Sequence, residues 1–444
     1  MEEHPSREVQ SSGTVTRYQS LALLGSSLLA AVSTLLVTMI AQRALNGSEL
    51  TEFLLFWAAL FTVTGIITGI QPEITRAVGT ARTRAVADRA ASGGAASAEG
   101  SAPQGARVVT VTAALGAIAG ALVLVSSPLW AGQQIPHSAA VGVTVMAVGV
   151  FLYALQATMS GVTAGEDRWY LFAAVGGLES AGRLILMLAA ALMIPSLAGL
   201  EVATVAPMGL WLILAFVTVS GRRLWVARAD VPAGRLTTNI LWSFLSSAAA
   251  AVLMMGFPNV LKASGAAESE PVVLGTLILA ISITRSPIMI PLQAFQGVAV
   301  SAFLKQRHRP VAAFIKPAAA VVAVGAVGAL AAYLVGPLLF RLIYPPAAGA
   351  ESAYEAAASG ITLGALVFAS ALLALMTLSG NMALAVNQHR IYLAGWVVAA
   401  AVTLGLAFLI PAPLVPRAIV ALAVGPVCGF VVHMVGVSVT APKG

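Results

Sequence analysis

The stretch PVVLGTLILAISITRSPIMIPLQAFQGVAVSAFLKQRHR, residues 271–309, is apolar for long enough to cross a lipid bilayer, since a spanning helix needs about 20 mostly apolar residues. Arg285 stands near its middle, followed by Pro287 and Pro291. An arginine at the centre of a membrane helix costs about 2.5–3.5 kcal/mol even on the lenient insertion scale. Each proline removes a backbone donor and requires a neighbouring helix or a wet cavity to compensate. A charge beside a broken helix at one depth predicts an interior, water-accessible site facing an anion, because intramembrane charges face bundle interiors. The plainer alternatives are an arginine snorkelling to a lipid headgroup, or one tied to a carboxylate for packing.

The rest of the chain has the same character. Over 444 residues it is 59% apolar and 9% charged, with a mean hydropathy of +0.92. Soluble domains carry about 25% charged residues, so the composition defines an all-α integral membrane protein with many crossings. The sequence pI near 9.9 is explained by membrane topology and not by nucleic acid. Cys428 is the only cysteine, which excludes an intrachain disulfide and a thiolate metal cluster.

Twelve apolar runs read as spans: 21–42, 52–70, 108–126, 138–160, 169–194, 202–220, 239–261, 272–300, 311–340, 357–379, 391–411 and 416–438. Most are closed by Gly, Pro or arginine-rich connectors. Residues 1–20 form a polar tail without an apolar signal core, so the first span is expected to be a retained anchor. The Ala-, Gly- and Ser-rich stretch 77–107 is expected to be a mobile loop. Residues 221–238 link two six-helix lobes, 21–220 and 239–438, and residues 439–444 form a short tail.

Lys and Arg divide unevenly between the two sides. One side receives 18 of them, the other only Arg43, Lys262, Arg341 and Arg417, while Arg183 and Arg285 fall inside spans. Positive charge marks the cytoplasmic face, so both termini are expected there. The halves also read as related. Arg168-Trp169-Tyr170-Leu171 opens span five and Arg390-Ile391-Tyr392-Leu393 opens span eleven, 222 positions later; Pro291 lies 219 after Pro72. A near-constant offset fits a parallel duplication of a six-helix unit.

The opening, LALLGSSLLAAVSTLLVTMIAQRALNGSELTEFLLFWAALFTVTGIITGIQPEITRAVG, resembles the start of bacterial polysaccharide and lipid-linked oligosaccharide flippases. In that family a basic residue and a small polar turn close span one, here Arg43 and Asn46-Gly47. A Gly-Ile/Leu-x-Pro-x-x-x-Arg-like exit closes span two, here Gly69-Ile70-Gln71-Pro72 with Arg76. Arg341-Leu342-Ile343-Tyr344-Pro345-Pro346 resembles the family's short external turn before span ten. The superfamily includes multidrug-and-toxin-extrusion exporters. The resemblance implies two lobes around a central cavity, alternating between inward-open and outward-open states in the plasma membrane of a bacterium. It implies as cargo a polyprenyl diphosphate bearing an oligosaccharide or related polysaccharide precursor, with surrounding membrane lipids and glycan-synthesis proteins as further partners, and no cofactor.

Carried onto this chain, that arrangement places Arg285 in the cavity wall, Arg76 near its cytoplasmic mouth, and Arg43 and Lys262 near the external mouth. A guanidinium suits a diphosphate because its planar fork donates paired, charge-assisted hydrogen bonds. Interfacial anchoring is the ordinary reading of Arg43 and Lys262, and Glu73, one turn away, is an ordinary partner for Arg76. Pro287 and Pro291 are candidate helix-break or gating positions. Glu179 and Arg183, four apart in span five, share a helical face; they read as a mutually neutralising pair or as an ion-coupling site.

Enzymatic motifs are missing. The five histidines form no H-E-x-x-H site, and there is neither a G-x-S-x-G elbow nor a Walker loop. A membrane glycan polymerase or ligase would be expected to carry a large external loop with acidic or histidine residues. A multidrug-type exporter of the same superfamily is the stronger rival; cationic drugs call for unpaired carboxylates within spans. Away from the span ends Glu179 is the only one, and it is already beside Arg183, which favours an anionic cargo.

Overall fold

The computed structural model describes residues 17–91, 105–265, 271–294, 303, 310–346, 351–386 and 388–440. Among the described residues, twelve helices are long and apolar enough to cross a membrane. Spans one to six are Arg17–Ala44, Gly47–Ile67, Val108–Ser126, Ala139–Gly165, Trp169–Met193 and Leu197–Val217. Spans seven to twelve are Ala233–Ala263, Pro271–Ala294, Pro310–Ile343, Gly360–Ala385, His389–Leu409 and Leu414–Thr440. Among the described residues there is no strand, as a lipid-facing chain demands: only helices or closed barrels satisfy every backbone group there.

Helix ends are set by polar chemistry as much as by hydropathy. Asn46 caps span two: its side chain accepts from the Glu49 amide at 3.0 Å, and the Glu49 carboxylate accepts from the Asn46 amide at 3.3 Å. Ser196 caps span six through the Gly199 amide. Both helices therefore begin five residues earlier than hydropathy alone predicts. Residues 77–91, expected to be loop, continue the helix Ile70–Ala91, because an Ala- and Arg-rich segment has high helix propensity. The remainder of that expected loop, 92–104, lies outside the described residues, as do residues 295–300 of span eight.

The caps also correct the register of the internal repeat. Arg168 before span five (φ −93°, ψ 60°) and Gln388 before span eleven (φ −94°, ψ 60°) share one backbone geometry. Each donates its amide to the carbonyl five residues back, Thr163 and Ala383. The geometric equivalents are thus 220 apart, two residues out of step with the Arg-x-Tyr-Leu match.

Helices pack closely where side chains are small. A Cβ on Gly120 of span three would lie 2.9 Å from the Ala147 carbonyl of span four, and one on Gly69 would lie 2.8 Å from the Ser243 backbone of span seven. Small residues are what allow such approach in lipid, where there is no hydrophobic drive between helices. The largest buried cluster joins the two halves at the arginine-poor end. Val37, Leu45 and Phe53 from spans one and two meet Phe257, Leu274, Ile281, Phe340 and Leu366 from spans seven to ten. Thr38 Oγ1 and Tyr344 OH add a 2.7 Å hydrogen bond there. Toward the arginine-rich end span seven joins the first half through Leu236 and Ile240, while Leu21, Leu24 and Leu28 of span one are exposed.

Candidate functional site

A proline in span seven creates the partner of Arg285. Pro258 has no amide hydrogen, so the carbonyl four residues before it, on Met254, loses its helical donor. The chain there widens into a π-helical turn, Val252–Gly256, a deviation found mostly as single turns within α-helices. Arg285 Nη1 donates to that Met254 carbonyl. Its Nε is buried without a partner, and among the described residues no carboxylate pairs with it. The guanidinium lines a narrow crevice with Leu253, Thr284, Leu366, Ser370, Leu422 and Pro426.

All of those residues belong to spans seven, eight, ten and twelve. Arg285 therefore faces the interior of the second six-helix group, not a hollow between the groups as the resemblance implies. Span eight directs Leu274, Leu277 and Ile281 into the cluster joining the halves; Ile281, one turn before Arg285, also lines the crevice, which therefore borders that cluster. Pro287 and Pro291 do not break the helix: it is continuous to Ala294, with Pro287 exposed. The residues after them are still apolar, and in lipid a helix that has lost single hydrogen bonds costs less than an unpaired backbone.

The other predicted basic residues are not gathered around Arg285. Arg76 lies at the arginine-rich end with its donors engaged. Nε and Nη2 reach Glu73 at 2.9 and 2.6 Å, and Nη1 reaches Asp230 at 3.2 Å. Asn239 donates to Glu73 at 2.9 Å, so the network ties the exit of span two to the start of span seven. The Arg76 side chain is 43% exposed, which keeps such pairs below about 1 kcal/mol. Asp230→Asn is accordingly expected to lower unfolding free energy by no more than about 1 kcal/mol, read by thermal unfolding in detergent. Arg43 is exposed, and its Nη1 approaches only its own helix at Met39 O, 3.4 Å. Lys262 occupies the last turn of span seven. Both sit at helix C-termini of the arginine-poor end, where a cation complements the helix dipole.

Glu179 and Arg183 form a direct ion pair inside the first half. Gln156 also donates to Glu179. Arg183, 6% exposed, lies over the rings of Phe61 and Trp57 at 5.1 and 5.8 Å. Both charges are compensated in place. Sequence reasoning missed two further carboxylates: Glu52 is 4% exposed and Glu201 is fully buried. Each fell at or just outside the edge of an apolar run; the capping residues Asn46 and Ser196 are the signals that bring them inside. Glu52 and Glu201 thus join Glu179 as carboxylates enclosed within spans, with Glu49 in the first, capping turn of span two. Among the described residues no group of His, Cys, Asp or Glu could hold a metal ion.

The arrangement of twelve spans is that of a transporter superfamily. It matches an inward-facing multidrug resistance MATE family transporter of the MOP superfamily with a TM-score of 0.69, 14% identity, and 95% and 98% of the two chains covered. The outward-facing form scores 0.62. Lipid II flippase MurJ, in an inward closed conformation, scores 0.67 at 9% identity, covering 95% of this chain and 88% of that one. The chain therefore has the fold of the MOP superfamily. No family model matches the sequence. In sequence it is 33% identical over 436 residues to uncharacterized protein Rv3630 of Mycobacterium tuberculosis, spanning 97% of this chain and 94% of that protein. It is 32% identical over 418 residues to uncharacterized protein Rv1510, spanning 94% and 90%. The chain belongs to the family of these mycobacterial proteins.

Proposed function

We propose that the protein moves a polyprenyl-diphosphate-linked oligosaccharide, or a related polysaccharide precursor, across a bacterial plasma membrane by alternating access. The observation that carries this reading is the guanidinium of Arg285, held in a crevice with no carboxylate to neutralise it. A buried cation without a counter-ion is complementary to an anion, and its unpartnered Nε is a donor in reserve. In this form the crevice has room for little more than a water molecule. In this reading it widens as the lobes rock to admit a phosphate group, with the glycan between the halves and the prenyl tail in lipid.

Direction follows from two supports. The basic residues crowd one end, which marks it as cytoplasmic and puts both termini there. The halves are joined at the other end, as expected of a form open to the cytoplasm, and the inward-facing MATE structure scores above the outward-facing one. In this reading the lobes 21–220 and 239–438 rock about their contacts, and Arg285 passes the diphosphate outward. Arg76, Arg43 and Lys262 flank the two ends of the route.

A second reading, export of a cationic drug, draws on the likeness to MATE transporters and on the carboxylates Glu52, Glu179 and Glu201 within spans. Two of these are already compensated, Glu179 by Arg183 and Glu52 by His137 and Ser138. Deleting the gene and measuring polyprenyl-linked glycans by mass analysis separates the two. Accumulation on the inner leaflet is expected. Unchanged glycans together with greater sensitivity to cationic drugs would favour the second reading.

A further inference from the structure

Glu201 has no part in the cargo argument, yet its surroundings are unusual. The residue is fully buried, and its only hydrogen bond is from Ser138 Oγ to Oε1, 2.6 Å; Oε2 has no partner. No Lys or Arg among the described residues forms an ion pair with it. Space for the carboxyl is kept by Gly142, where a Cβ would lie 3.1 and 3.3 Å from its two oxygens. An ionised carboxylate in such a place, with one neutral donor and no cation, is strongly disfavoured.

The same serine oxygen lies 3.1 Å from Glu52 Oε1. A hydroxyl has one hydrogen, so it can donate to only one of the two carboxyl groups and must accept from the other. Only a protonated carboxyl can donate. Glu52 is the poorer candidate to donate in this arrangement, because it already accepts from the His137 and Ser138 amides at 2.8 Å each. On its outer side Glu52 Oε2 is 2.7 Å from His137 Nδ1, and the His137 side chain is 71% exposed. The groups thus form a continuous line from solvent at the arginine-poor end to a buried acid.

We propose that Glu201 is a proton-binding site, reached from the arginine-poor face through His137, Glu52 and Ser138. A proton enters at His137 Nε2 as the Nδ1 proton passes to Glu52. That proton arrives on Glu52 Oε2; a turn of the carboxyl group brings it round to Ser138 Oγ, which takes it while handing its own hydrogen to Glu201 Oε1. The serine is unchanged, and Glu201 goes from anion to neutral acid. The elements around span six add no competing charge: from span five Glu179 and Arg183 are paired with each other, and Arg183 reaches span six at the Thr204 carbonyl, 3.4 Å. Span two presents Glu52 and the start of span four Ser138.

The site is linked to closure of the halves. Gln134, three residues before His137, donates to the Asn259 carbonyl of span seven at 3.1 Å. Asn259 in turn donates to the Leu55 carbonyl at 3.0 Å, one turn along span two from Glu52. A proton on Glu201 removes the repulsion between two carboxylates at this junction. The closed arrangement holds that proton more firmly than one in which the junction has parted, so acid favours closure at this end and rising pH releases it. None of this depends on the nature of the cargo.

Infrared difference spectroscopy on the full-length protein in lipid nanodiscs tests the assignment. The wild type at neutral pH is expected to show the carbonyl stretch of a protonated carboxyl group, fading as pH rises and absent from Glu201→Gln. Its hydrogen–deuterium exchange is expected to slow roughly 10²-fold in Ser138→Ala, the lower end of what a positioned proton-transfer group contributes. A band that persists in Glu201→Gln, or one that exchanges equally fast in Ser138→Ala, would overturn the proposal. Should Glu201→Gln fail to fold, the exchange rate in Ser138→Ala decides alone.

Discussion

Replacing Arg285 with methionine is expected to abolish export while leaving the folded protein at least as stable as the wild type. The two effects separate because the arginine is poorly matched to its surroundings in the absence of cargo. Holding a guanidinium near mid-span costs about 2.5–3.5 kcal/mol, and a hydrogen bond to a charged group returns about 1.5–3 kcal/mol. Arg285 has one such bond, to the Met254 carbonyl, and a buried Nε with none. Methionine fills the same space with a flexible apolar chain, so stability is expected to change by about 0–2 kcal/mol in the favourable direction. Arg285→Glu sets a carboxylate against a carbonyl, two acceptors facing each other, and is expected to lose both export and stability. The Pro258→Ala change is a complementary probe. It restores a donor four residues after Met254, competes for the carbonyl, and tests whether the π-helical turn positions the arginine. Export of the lipid-linked glycan and thermal unfolding in detergent are the two readouts. Wild-type export by the methionine variant would remove Arg285 from the mechanism, and the anionic cargo with it.

How much of this was legible in the chain differs from residue to residue. The twelve spans are visible because each is a long apolar run, and lipid leaves such a run almost no alternative to a helix. Their ends are less visible. Glu52 and Glu201 are polar residues in helices that hydropathy begins too late, whereas the capping chemistry of Asn46 with Glu49, and of Ser196, begins them correctly. Hydropathy averages over a window; a cap is a property of single atoms. Arg285 could be picked out as a costly charge, but not its partner. That partner is a backbone carbonyl on another span, exposed by Pro258, and only the packing of spans seven and eight brings the two together. The prolines of span eight show the converse: local chemistry argues for a break, and the surrounding apolar sequence keeps the helix intact to Ala294.

Replacing Glu179 with alanine is expected to destabilise the protein by about 3–5 kcal/mol, the cost of leaving one partner of a buried ion pair uncompensated. The discount for solvent screening does not apply, because the two side chains are 8% and 13% exposed. The stranded Arg183 would keep its contacts with the rings of Phe61 and Trp57, but these are present in the wild type too and leave that loss unchanged. The double variant Glu179→Leu with Arg183→Leu removes both charges and is expected to recover most of the stability, since well-packed apolar pairs often replace buried ion pairs without loss. Unfolding measured across the single and double variants gives the coupling between the two residues directly. Glu179→Gln addresses the other role open to this pair. It keeps the shape and an acceptor for Arg183 but cannot exchange a proton, so an ion-coupled glutamate would lose gradient-driven export out of proportion to any loss of stability. Undiminished, still gradient-dependent export by that variant would leave the pair a structural one, and would move the search for the coupling proton to Glu201, one turn from the Thr204 carbonyl that Arg183 reaches.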